Sequence, residues 1–104
     1  MTTFDDREKA FENKFAHDEE LQFRTLARRD KLLGLWAAGL MGKSAEAAAA
    51  YARDVVSADV EEAGDEDVFR KIAGDLGARS DAVTIRTRMA ELLSEAKRQM
   101  MSES

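Results

Sequence analysis

The chain contains no cysteine and no proline. The first absence removes disulfides, thiolate metal ligands and cysteine nucleophiles together. The second means that no helix is broken by a missing N–H donor. A single histidine, His17, leaves histidine metal clusters and His-activated nucleophiles without a second member. No apolar run is long: Leu32 to Met41 is about half the ~20 residues needed to cross a bilayer. The first residues, MTTFDDREKAFENKF, are charged from Asp5 onward and lack the apolar centre of a signal peptide. A soluble, cytoplasmic protein is expected, linked to a membrane only through a partner. The net charge of −5 lacks the basic footprint of a general nucleic-acid binder, although Arg24, Arg28, Arg29 and Lys31 form a local basic cluster.

What is present is a helical vocabulary rich in Ala, Leu, Glu, Lys and Arg, with 36% charged and 44% apolar residues. A chain of 104 residues has room for one core. Periodicity and punctuation predict four helices. The first runs from about Glu19 to Met41, with Leu26, Leu33, Trp36 and Leu40 in phase, and Gly42 closes it. Ser44 caps a second helix from Ala45 to about Ala63, with Ala48, Tyr51, Ala52 and Val55 on one face. Gly64 ends that helix, and Asp65 caps a third carrying Val68, Phe69, Ile72 and Leu76. Gly77 stops the third, and Ser80 or Asp81 opens a fourth striped by Ile85, Met89, Leu92, Leu93, Ala96 and Met100. Short connections favour antiparallel neighbours, so the expected fold is all-α, a compact antiparallel four-helix bundle. Its core should include Leu33, Trp36, Leu40, Val55, Phe69, Ile72, Met89 and Leu92. Gly34, Ala38 and Gly42 recur every four residues and invite close approach of another helix.

Residues 1–18 follow a different pattern. Phe4, Phe11 and Phe15 fall in a narrow band of the helical wheel, but their neighbours are polar or charged. Three rings are too few to hold so short a helix by itself. The expected division is a mobile arm at 1–18 and a helical domain at 19–104, the arm extending the first helix when a partner covers its rings. Packing of the same rings onto the bundle is the alternative. His17, beside Asp18, Glu19 and Glu20, is a surface residue or a pH sensor at the root of the arm.

Two motifs imitate chemistry. AAGLMGKS at 37–44 ends like a phosphate-binding loop, but Ala37 takes the place of the first glycine and helix formers precede it instead of a strand. A stop and start between two helices explains every residue, leaving Lys43 and Ser44 as candidates for weak nucleotide or anion contact. The acids from Asp59 to Asp67 fail as a calcium loop, because Ala63 and Arg70 fall at ligand positions. The remaining carboxylates are expected on solvent faces, with no apolar pocket to raise a pKa. No catalytic residue, metal site or cofactor is expected, and the chain does not read as an enzyme.

Three blocks carry a resemblance: MTTFDDREKAFENKFAHDEELQFR at 1–24, ARRDKLLGLWAAGLMGK at 27–43 and YARDVVSADVEEAGDEDVFRK at 51–71. They resemble the zeta-type inhibitor subunit of bacterial F-type ATP synthases. From about Asp75 onward the likeness consists mainly of apolar spacing. The resemblance implies a four-helix fold whose N-terminal segment enters the catalytic head, wedges between an alpha and a beta subunit near the rotor stalk, and blocks rotation in the hydrolysis direction. Partner binding would then fall on Thr3, Phe4, Asp5, Asp6, Arg7, Glu8, Lys9, Phe11, Glu12, Lys14 and Phe15. Two other functions fit the residues: a nucleotide or anion sensor at the 42–44 corner, and an adaptor whose arm folds on a different protein.

Overall fold

Residues 19–61 and 65–103 are described in a computed structural model. Nearly all of them are helical, and no strand occurs among them. The elements are α1 (Glu19–Leu40), α2 (Ala45–Glu61), α3 (Asp65–Leu76), a short 3-10 turn (Gly77–Arg79) and α4 (Ala82–Glu103).

Local chemistry accounts for each boundary. Glu19 and Glu20 open α1, where acidic side chains complement the positive end of the helix dipole. At its other end Gly42 adopts φ +70. The Lys43 N–H donates to the Ala38 carbonyl and the Gly42 N–H to the Gly39 carbonyl, each at 3.1 Å. This paired closure needs a left-handed residue, and glycine accepts that conformation without strain. Ser44 caps α2 as expected, its Oγ accepting from the Ala47 N–H at 3.2 Å. Of the two candidates for opening α4, Asp81 is the cap: its Oδ1 accepts from the Thr84 N–H at 2.7 Å. Asp65 departs from expectation. It is the first residue of α3 rather than a flanking cap, and its carboxylate accepts from a different helix.

Helix α1 packs against α2, α3 and α4 in turn and is the centre of the fold. Leu33, Val55, Ile72 and Met89 are buried as expected, joined by Val68, Leu76, Ile85, Ala37 and Ala38. Trp36, Phe69 and Leu92 lie at the margin of this core, half-buried. The Arg86 guanidinium sits 3.9 Å from the Phe69 ring centroid and that of Arg88 5.7 Å from Trp36, covering rings that water would otherwise reach. Leu40 is a correction: it keeps the apolar phase but is 44% exposed. It is the last residue of α1, where the chain reverses and no helix continues alongside.

The small-residue stripe holds for two of its three members. Gly34 and Ala38 are buried, whereas Gly42 is exposed and serves the turn. A methyl group built on Gly34 would stand 2.7 Å from Ala52 Cα and 3.2 Å from Val55 Cγ2. Helices α1 and α2 therefore touch backbone to backbone at this crossing.

Candidate functional site

The residues expected to bind a partner, Thr3 through Phe15, and the candidate sensor His17 all lie outside the described residues. The described chain begins where that segment joins α1. Phe23, one turn further on, is 55% exposed. It lies off the band shared by Phe4, Phe11 and Phe15, which is why periodicity did not single it out. A single exposed ring of this kind is common on protein surfaces and does not by itself mark a site.

Over the two turns beyond Phe23, α1 buries polar groups. Thr25 is fully buried, its hydroxyl donating to the Leu21 carbonyl at 2.8 Å, so its polarity is satisfied within the helix. Arg29 and Asp30 are buried as well, the side chain of each only 1% exposed. Arg29 Nε donates to Asp30 Oδ1 at 2.6 Å, and its Nη2 donates to Asp65 Oδ1 on α3 at 3.0 Å. Asp30 Oδ2 is buried without a hydrogen-bond partner. The Asp59 carboxyl of α2 lies within hydrogen-bonding reach of the Asp30 carboxyl. Two expectations are overturned here. Arg29 is not part of a surface basic cluster, and one carboxylate does sit in a pocket that raises its pKa. Burial, reinforced by the Asp59 carboxyl and opposed by the Arg29 charge, pushes Asp30 up to about 8. The sequence did hold a signal for Arg29, which shares a helical phase with Leu26, Leu33 and Trp36.

The loop-like corner at Lys43 and Ser44 is an exposed helix reversal. The Ser44 hydroxyl is engaged in capping α2, and Lys43 Nζ lies 5.8 Å from the Tyr51 ring centroid. Tyr51 in turn donates to Asp75 Oδ2 at 2.7 Å, a carboxylate also reached by Lys71 Nζ at 3.1 Å. Burial and this acidic partner drive the Tyr51 hydroxyl far above its usual range. Two cations around one ring and one carboxylate form a structural clasp between α2 and α3, complete in itself. Among the described residues no group of three or more Asp, Glu, His or Cys is arranged to hold a metal ion, and no helix is long and apolar enough to cross a membrane.

Residues 1–99 match the family model described as ATPase inhibitor subunit zeta. The chain belongs to that family. The match begins at the first residue and runs beyond Asp75, covering both the N-terminal segment and most of α4. A protein solved by solution NMR is 49% identical and superimposes with a TM-score of 0.74, covering 81% of this chain and 99% of its own. No curated protein matches the chain. The zeta family is named for inhibiting an ATPase, which is a regulatory role.

Proposed function

We propose that this protein inhibits ATP hydrolysis by the F-type ATP synthase. In this reading residues 1–18 form the inhibitory arm and the antiparallel four-helix bundle from residue 19 is its anchor. The observation that carries the reading is the family match reaching residue 1, so the charged, ring-bearing segment belongs to the family pattern. The arm enters the catalytic head between an alpha and a beta subunit near the rotor stalk. Phe4, Phe11 and Phe15 supply apolar anchors, worth on the order of 5 kcal/mol before ordering costs. Thr3, Asp5, Asp6, Arg7, Glu8, Lys9, Glu12 and Lys14 meet polar and charged groups around the crevice. His17, among acids at the root of the arm, adjusts the start of α1 as pH falls. The protein works in the cytoplasm, at the membrane only through the synthase.

The described part of the chain supports the second half of this mechanism. It measures 48 × 25 × 24 Å. A crevice that admits one helix, ~10–12 Å across with its side chains, will not pass a body of that width. The bundle therefore limits how far the arm threads, and α1 transmits the rotor's load into the core. Hydrolysis by the isolated catalytic head, measured with the full chain and with a chain lacking residues 1–18, tests the proposal. Inhibition by the full chain alone is the expected result. Equal inhibition by both would move the functional surface to the bundle.

A further inference from the structure

We infer that Asp30 of α1 and Asp59 of α2 form one proton-binding site, a single proton shared between their carboxyls.

The geometry leaves one arrangement that satisfies every group. Asp30 Oδ1 is already occupied by Arg29 Nε at 2.6 Å. Oδ2 is buried and has no donor, and the Asp59 carboxyl lies within hydrogen-bonding reach of the Asp30 carboxyl. Two ionised carboxylates have no hydrogen to offer each other, so contact between them is repulsive, and in a dry site it is costly. One proton on Asp30 Oδ2 changes that contact into a hydrogen bond donated to Asp59. The orphan atom is then satisfied without any movement of the backbone.

The surrounding charges select the same state. Within the described residues, α1 contributes Arg29, α2 contributes Asp59, and α3 contributes Asp65. Arg86 of α4 lines the recess beside Arg29 and Asp65, but its guanidinium is committed to Glu66 at 3.0 Å. The Arg29 guanidinium thus serves two carboxyls, Asp30 and Asp65, and Asp59 is not among its partners. The Asp65 side chain is 59% exposed and hydrated, whereas Asp30 is closed off from solvent. The group that takes up a proton is therefore Asp30.

The position gives this proton leverage. Asp59 lies in the last turn of α2 and Asp65 is the first residue of α3, so the Arg29–Asp30 pair ties α1 to both helices. Loss of the shared proton turns the contact between the Asp30 and Asp59 carboxyls back into repulsion and loosens the hold of α1 on Asp59.

Carboxyl 13C resonances of the labelled full chain, followed from pH 4 to 10, test the inference. The Asp30 signal is expected to titrate with a midpoint near 8. Amide shifts of residues around Asp59 and Asp65 should follow the same midpoint, while those of the first turns of α2 stay still. Asp59→Asn places a donor opposite Asp30 and should lower the midpoint by more than one pH unit. Asp30→Asn, which imitates the protonated state, should abolish the amide transition. A midpoint below 6 in the parent chain overturns the site, and that measurement needs no variant to fold. A high midpoint unchanged by Asp59→Asn would make Asp30 an ordinary buried acid and equally end the shared-proton reading.

Discussion

Gly34 lies so close to Ala52 that a single added methyl group would come within 2.7 Å of the opposing Cα. The obstacle is backbone, which cannot rotate away as a side chain would. Gly34→Ala should gain a little helix propensity yet lose overall, destabilising by about 1–3 kcal/mol through overpacking. Chemical denaturation gives the figure directly. A variant as stable as the parent would mean that α1 and α2 can separate at no cost.

Arg29 is expected to be the least replaceable charge in the domain. Arg29→Ala strands Asp30 without its donor and unties Asp65, and breaking such a buried pair costs about 3–5 kcal/mol. Replacing Arg29 by Met and Asp30 by Leu together should recover much of that loss, because the desolvation penalty disappears along with the pair. A double-mutant cycle on melting curves checks both statements.

Stability should fall as the solution turns alkaline. Burial raises the folded pKa of Asp30 to about 8, from the ordinary aspartate value of 3.8. Between those limits the folded chain holds a proton that the unfolded chain has lost. The contribution is fully present below the unfolded pKa and disappears as pH climbs through the folded one. The slope is on the order of 1 kcal/mol per pH unit, flattening above about 8. Asp75, Asp81, Glu95 and Glu103 act in the opposite sense, their pKa values being lowered by hydrogen-bonding partners. Their contributions are present above the unfolded carboxylate pKa and fade as pH drops through the folded values. The melting temperature should therefore peak on the acidic side, near pH 4 to 5, and Asp30→Asn should remove the alkaline decline. A parent whose melting temperature stays level from pH 5 to 8 would contradict this.

Activity and stability should separate on mutation. Phe11→Ala combined with Phe15→Ala is expected to weaken inhibition of ATP hydrolysis by more than ~10-fold if each ring supplies over ~1 kcal/mol. The melting temperature should not move. Ile72→Ala, at a fully buried site, should do the reverse and cost about 2–5 kcal/mol of stability. Inhibition titrations beside melting curves resolve the two effects.

Most helix ends were legible because their signals are local, although Asp65 was misread as a cap and the stop expected at Gly64 lies outside the described residues. Gly42, Ser44, Gly77 and Asp81 each act within one turn of themselves, so sequence neighbours suffice to read them. The apolar stripes placed Leu33, Val55, Ile72 and Met89 for the same reason. Leu40 failed because periodicity assigns a face but does not say where the neighbouring helix ends. Asp30 and Arg29 failed more instructively, since their burial depends on three helices converging from distant parts of the chain. A charged residue in an apolar phase looks like an interruption until its partners, Asp59 and Asp65, are brought beside it. As for function, Lys43 and Ser44 were correctly legible as a helix boundary, while the roles assigned to residues 3–17 rest on the family pattern.

Arg28 pairs with Glu103, and its guanidinium also reaches Gln99 Oε1 at 3.4 Å. The final turn of α4 is thereby fastened beside the opening turns of α1, across a sequence separation of 75 residues. Contacts so remote along the chain form late in folding, after the adjacent α1–α2 hairpin, because loop closure precedes any reward. The attachment is an exposed ion pair, so it is also among the first to let go when the native state breathes. A fluorophore or affinity tag carried after α4 would consequently hang beside Arg28, in the first half of α1, and crowd that surface. Reporters for this protein belong instead at the far end of α1, by the Gly42 reversal.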